Sequence, residues 1–361
     1  MNKLLKALSS ISLCFFLIFC LVSDLLAKAS YSSPVSPPPS ISSLGLGQNA
    51  TVPPCWAELT ERLSADGFRK EDLCPIFIEL GDSYSEKPMQ TKLAELHKKY
   101  TTRHDRAPKP AKGNVGRNVG YYRHVLTNKN IVRAKSFITS HKTAFDKANQ
   151  EFGVPAEVAA ALLLVETDLG QFLGNEKALL NLASMAASSK AEDMLPHFPV
   201  GKNNLAWMQK IMTEKSDWAY TELKALLTYS FENGLDPLQL TGSIYGAIGL
   251  CQFMPSNISL YGKDGTGNGQ INLFVADDAI HSLANYLKEH GWQKNLSRSE
   301  QHQVLLNYNR SSTYANTILL AADHIAGRKT LNSKGKKAQK NPFASHNVNK
   351  SGKLKQTPGK K

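Results

Sequence analysis

A mainly helical fold follows from three features of this sequence. Between residues 55 and 327 apolar side chains recur at three- and four-residue spacing in run after run. Sustained alternation is missing outside short pieces such as "GQINLF". Glycine, proline and polar clusters punctuate the runs and mark their ends. With 361 residues the chain can bury a sizeable core in one large domain or two modest ones.

Taken in order, the opening "MNKLLKALSSISLCFFLIFCLVSDLLAKAS" has a basic start, an apolar run, and small residues at Ala27 and Ala29. It reads as a secretory signal peptide over 1–29, cleaved after Ala29. A retained membrane anchor is the rival reading, and Asp24 interrupts the run it would need. Cys14 follows Leu13 and Cys20 follows Phe19, where lipoprotein signals carry a small residue, so an exported soluble protein is expected. Residues 30–54 are rich in Ser and Pro and are expected to form a linker.

Helical patterns begin at Cys55 with "CWAELTERLSADGF", "KEDLCPIFIELGDSY" and "MQTKLAELHKKY", a helical N-terminal part over 55–102. A basic loop over 103–118 breaks the pattern with proline and glycine. "NIVRAKSFITSHKTAFDKANQEFG" reads as one amphipathic helix stopping at Gly153. Pro155 then suits the first position of a helix running to about Gly170. Further helices are expected over 176–188, 203–213, 217–233, 275–291, 298–308 and 312–327, which completes a core of about 129–327. The Lys-, Gly-, Ser- and Asn-rich tail over 328–361 cannot bury a core and is expected to be disordered.

The formal charge of +13 would suggest a nucleic-acid partner if it lay on the folded body. It does not. Residues 328–361 carry ten Lys and one Arg without an acid, 1–29 add two more, and 30–327 is neutral. No nucleic acid is therefore expected as partner, and the tail suits an anionic wall polymer or membrane surface. Export would leave Cys55, Cys74 and Cys251. Two readings stay open: Cys55 pairs with Cys74 across a short helical hairpin, leaving Cys251 as a thiol, or all three stay reduced.

In "VAAALLLVETDLGQFLG", Val158, Leu162, Val165 and Leu169 form a core stripe, and Glu166 lies beside it. Partial desolvation there disfavours the charged form and raises the carboxyl's pKa, which suits a general acid for glycoside cleavage. A Glu that swings to solvent or pairs with a Lys is the plain alternative. "GSIYGAIGLCQFMPSNISLYG" follows, rich in small residues, with Gln252 able to donate and accept.

Four blocks together, "LLLVETDLGQFLG", "GSIYGAIGLCQFMPS", "GNGQINLFVADDAIHSLANYLKEHGW" and "LLNYNRSSTYANTILLAADHIAG", resemble the membrane-bound lytic transglycosylase B family over roughly 55–327. The resemblance implies a lysozyme-like core of the goose-type, with an added helical N-terminal region and very little β structure. It implies a periplasmic enzyme that needs no cofactor and acts on peptidoglycan. Such an enzyme cleaves the β-1,4 bond between N-acetylmuramic acid and N-acetylglucosamine and closes a 1,6-anhydro ring. Glu166 matches the family's single acid and base. Ser243 and Gln252 match polar residues facing the reacting sugars, Phe253 the aromatic beside them, Tyr308 and Asn309 a pair near the catalytic Glu, and Tyr286 and Tyr314 cleft tyrosines. All seven are expected to bind substrate, with core packing as the alternative for each tyrosine.

The loop "DGTGNGQINLFVADD" resembles a variant EF-hand. Asp264, Thr266, Asn268 and the Gln270 carbonyl take successive ligand positions, and Asp278 takes the closing one. That implies a weakly held structural calcium, or a purely structural turn. The chain departs from the family where "AASSKAED" replaces a basic run, leaving Lys190 as the one cation there. Two rival functions remain: a non-catalytic peptidoglycan-binding protein, and a hydrolytic muramidase, which needs a second carboxylate. A cysteine hydrolase built on Cys251 lacks an orienting group.

Overall fold

A computed structural model describes residues 51–104, 120–198, 200–201 and 204–328. The expected signal peptide, most of the linker and nearly all of the basic loop and of the tail lie outside these residues; the first two residues of the expected loop, Arg103 and His104, are helical. Among the described residues no helix is long and apolar enough to cross a membrane.

Of the described residues, 63% are helical. Three helices come first: α1 (Pro54–Ala65), α2 (Lys70–Leu80) and α3 (Lys87–His104). Then follow α4 (Asn128–Ser140), α5 (Lys142–Phe152) and α6 (Ala156–Thr167). The two-residue strand β1 (Glu176–Lys177) leads into α7 (Ala178–Ala187), α8 (Ala191–Met194) and the 28-residue α9 (Leu205–Glu232). After β2 (Thr241–Gly242) come α10 (Pro255–Tyr261), α11 (Ala276–Glu289), α12 (Arg298–Tyr308) and α13 (Ser312–Ile325).

The predicted helical class is therefore what the chain adopts, and the departures are local. The run ending at Gly153 is two helices, because His141 leaves helical geometry (φ −112°, ψ 30°). That bend lets α4 pack on α6 and α13 while α5 packs on α11, which one straight helix could not do. Conversely, 203–213 and 217–233 are a single helix. Polar residues interrupt the apolar pattern there, but Ser216 is buried and its hydroxyl donates to the Ala186 carbonyl at 2.6 Å. Pro155 is the N-cap of α6 rather than its first residue, and "GQINLF" is not a strand.

The two strands pair antiparallel, Glu176 with Gly242 and Lys177 with Thr241. Bridges from Ile248 to both Gly242 and Phe253 then fold 241–253 into a compact loop. Gly174 and Gly242 permit this closeness: a Cβ on Gly174 would lie 2.1 Å from the Gly242 carbonyl oxygen.

α6 runs through the centre. It is buried nearly all round, from Val158 to Leu164, rather than along one stripe, as expected of a helix apolar on every side. Val165, given to the core by its spacing, is only half-buried. α13 and α4 flank α6, α7 lies along α9, and α1 and α3 both pack on α7. One apolar core runs from Trp56 to Ile325, so the N-terminal helices share it.

Candidate active site

Glu166 sits in the last turn of α6, where the helix runs out of buried surface. The residue keeps an opening to solvent, but dense packing surrounds its carboxyl, and burial raises its pKa from 4.5 to about 7. The Tyr314 hydroxyl, from the first turn of α13, donates to Glu166 Oε1 and opposes that rise. No charged group contributes to it. The groups that face Glu166 are Cys251, Tyr308 and Tyr314, and burial holds all three well above their ordinary pKa. Each is neutral at physiological pH, so the carboxyl is the one titrating group in this setting.

Tyr308 and Tyr314 stack at 6.3 Å, and Tyr286 and Phe253 continue the file at 5.0 Å and 6.0 Å from Tyr308. All four rings are buried. They pack on one another behind the carboxyl, as in the core-packing alternative for the tyrosines, and Tyr308 lies beside Glu166. Their hydroxyls are also spoken for. Tyr308 donates to the Cys251 carbonyl, and Tyr286 donates to the Asn307 carbonyl at 2.9 Å. Asn309 caps α12 in extended backbone, at the turn that links the two tyrosine-bearing helices.

The 241–253 loop supplies polar atoms. Ser243 Oγ accepts from the Ala247 amide at 3.1 Å and keeps its proton to donate. Gln252 donates both amide hydrogens to backbone, at 3.0 Å to the Gly249 carbonyl and 3.2 Å to the Leu173 carbonyl. Two carbonyl partners fix which end is NH2, so Oε1 is the atom left to accept. Cys251 is fully buried, and burial pushes its thiol up, which makes it a packed side chain and a poor nucleophile.

Backbone strain gathers here. Among the described residues four non-glycine positions have positive φ, and three belong to this site: Asp168 (54°), Leu169 (63°) and Gln252 (49°). Helix α6 thus stops at Thr167, short of the expected Gly170. Thr167 staples the helix end to the facing loop, donating to the Leu250 carbonyl at 2.8 Å and accepting from the Gly170 amide at 3.1 Å. Arg133 of α4 holds the next residue, Asp168. Neither Thr167 nor Arg133 stood out in the sequence, since nothing local to them signals a partner so far along the chain.

The 264–278 loop is closed by its own hydrogen bonds. Asp278, 1% exposed, accepts the Gly265 and Thr266 amides on Oδ1 and the Asn272 amide on Oδ2. Asp264 accepts the Gly267 and Gly269 amides and the Thr266 hydroxyl, and Asn268 Oδ1 accepts the Gln270 amide. A closing calcium ligand offers both oxygens to the ion, whereas those of Asp278 face the backbone. Among the described residues no cluster of three or more His, Cys, Asp or Glu side chains could hold a metal. As arranged, the Asp264 and Asp278 carboxylates are taken up by the loop's own amides, which hold the turn closed.

Cys55 and Cys74 are free thiols, which corrects the paired reading. The Cys55 sulfur lies 4.0 Å from the Gly81 carbonyl at the far end of α2. Cys74 is two turns back, roughly 10 Å along the helix, too far for a disulfide. Lys190 is exposed at the start of α8.

A mainly helical body in which one buried carboxylic acid meets a tyrosine hydroxyl beneath a small-residue loop has the lysozyme-like architecture of the lytic transglycosylases. The transglycosylase SLT domain matches residues 52–301, and the chain belongs to that family. It is similar to membrane-bound lytic murein transglycosylase B of Escherichia coli, with 32% identity over 186 residues. That match spans 52% of this chain and 45% of that protein. The fold is similar to the crystal structure of soluble lytic transglycosylase SltB1 from Pseudomonas aeruginosa, with TM-score 0.55 and 22% identity, over 76% of this chain and 99% of that one. SltB3 from the same organism, solved in complex with NAG-anhNAM-pentapeptide, shares the fold at TM-score 0.53 and 18% identity, over 76% and 79% of the two chains.

Proposed function

We propose that this protein is a lytic transglycosylase that cleaves the β-1,4 bond between N-acetylmuramic acid and N-acetylglucosamine in peptidoglycan. The observation that carries the reading is Glu166, a carboxyl raised to about 7 by burial, with a neutral phenol as partner. In the first step the protonated carboxyl gives its proton to the glycosidic oxygen as the C1–O bond breaks. As carboxylate it then takes the proton of the muramoyl C6 hydroxyl, whose oxygen bonds to C1 and closes the 1,6-anhydro ring. The Tyr314 hydroxyl steadies the carboxylate between the steps.

One carboxyl suffices because the substrate supplies the nucleophile. A hydrolase would need a second carboxylate to direct water. Asp168 is committed to Arg133 and Glu222 to Ser256, so neither offers one. Ser243 Oγ and Gln252 Oε1 are the polar atoms suited to sugar hydroxyls and acetamido groups. The bound fragment in the SltB3 relative supports peptidoglycan as the substrate class. Export by the opening segment and a periplasmic location belong to the same proposal. So does contact of the basic tail with an anionic wall or membrane surface.

The test is mass spectrometry of products released from purified sacculi by the full chain and by Glu166→Gln. Soluble muropeptides one water lighter than hydrolysis products, absent with the variant, are expected. Full-mass reducing ends would make the protein a hydrolase, and no release by either protein would make it a binding module.

A further inference from the structure

The turn that ends α6 stands in a conformation its residues disfavour, and one side chain grips it. Asp168 and Leu169 are consecutive residues with φ of 54° and 63°, each costing on the order of 1 kcal/mol relative to ordinary backbone. Arg133 Nη1 donates to Asp168 Oδ1 at 2.8 Å and to Oδ2 at 3.0 Å, and lies 3.4 Å from Asn130 Oδ1. Its Nη2 donates to the Asp168 backbone carbonyl at 2.9 Å. The guanidinium thus binds side chain and main chain of one strained residue at once.

We propose that Arg133 is a positioning residue: by holding the left-handed Asp168–Leu169 turn it fixes the last turn of α6 and keeps Glu166 against Tyr314. The proposal rests on the reading of Glu166 as the acid. The layout favours it, because α4, which carries Arg133, packs on both α6 and α13, the two helices that supply Glu166 and Tyr314. Thr167 pins the same turn from the opposite side through the Leu250 carbonyl. An ammonium group lacks the planar fork that serves a carboxylate and a carbonyl together, so lysine is an incomplete substitute.

The experiment compares wild type, Arg133→Ala, Arg133→Lys and the double variant Arg133→Ala/Asp168→Gly on sacculi, with thermal unfolding to confirm that each is folded. Arg133→Ala should lower kcat about tenfold with KM within about twofold, and Arg133→Lys should fall between. Adding Asp168→Gly should recover most of the loss, because glycine takes positive φ without a clamp. Wild-type kcat in Arg133→Ala, a loss confined to KM, or no recovery with glycine overturns the proposal. If Arg133→Ala does not fold, Arg133→Lys and its Asp168→Gly double carry the same comparison.

A second readout separates this proposal from the assignment of function. The Glu166 carboxyl is titrated by difference infrared spectroscopy against Glu166→Gln, with no substrate present. A frayed turn admits water, so loss of the clamp should move the midpoint toward the ordinary carboxylate range, and Asp168→Gly should return it. An unmoved midpoint in a folded variant overturns the clamp even if wild type releases no muropeptide.

Discussion

At the scale of single residues, the proposed mechanism turns on how the Glu166 carboxyl is kept neutral and then allowed to ionise. Burial raises the Glu166 pKa to about 7, and the Tyr314 hydrogen bond is the one force pulling it down. The protonated form, needed for the first step, is lost as pH rises through that value, so activity should decline above about pH 7. Tyr314→Phe removes a bond that favours the carboxylate, so the pKa rises. The descending limb of the pH–rate profile should then move up by about one unit. A limb that stays in place would mean that the phenol serves only packing. The apolar run made Glu166 conspicuous in the sequence but left a solvent-exposed or Lys-paired Glu open, and it was the four-block resemblance that singled it out as the acid. For Tyr314 the resemblance implied a cleft tyrosine but not its partner; its ring is buried and its hydroxyl meets the Glu166 carboxyl.

At the scale of elements, α9 organises the loops from below. Glu222, Tyr229 and Asn233 lie on one face at seven- and four-residue spacing. Glu222 accepts the Ser256 amide at 2.9 Å and its hydroxyl at 2.8 Å, which fixes the start of α10 just after Gln252 and Phe253. The Tyr229 hydroxyl accepts the Leu273 amide, and Asn233 Oδ1 accepts the Ile271 amide. Burial raises the Glu222 carboxyl to about 7, above the unfolded value of 4.5. For an acid this means that the folded state binds the extra proton, so stability falls as pH rises from about 4.5 through 7. Glu222→Gln keeps both bonds, accepting from the Ser256 amide and donating to its hydroxyl, and should stabilise the protein above pH 7 by about 1 kcal/mol. Glu222→Ala strips the amide and should cost about 2–3 kcal/mol. Chemical denaturation at pH 6 and pH 8 measures both. This ridge was invisible in the sequence, since its acceptors serve amides dozens of residues away.

At the scale of the whole molecule, the N-terminal helices are part of the body that carries the site. Trp56 is fully buried, donates to the Gly81 carbonyl at 2.7 Å, and belongs to the same core as α6. Trp56→Ala should therefore destabilise the entire chain by about 3–5 kcal/mol, with one thermal transition. Two separated transitions would show that residues 55–102 melt as an independent unit. The basic extension belongs to this scale as well. Deleting 331–361 should leave the unfolding temperature unchanged and remove the salt-dependent part of sacculus binding. Binding that ignores both salt and the deletion would sink a role for the tail.

By itself the sequence determined the helical class and most helix positions, because apolar periodicity is a local signal, and it singled out Glu166 through four blocks that resemble one family. Where local pattern and packing disagreed, packing won: His141 breaks one expected helix and Ser216 joins two. Only the tertiary structure decided that the tyrosines face inward, that Asp278 holds its own loop, that Cys55 and Cys74 stay apart, and that Arg133 grips the turn beyond Glu166. Burial and hydrogen bonding are properties of whatever the fold brings alongside, and for Glu166 that neighbour is 148 residues further along the chain.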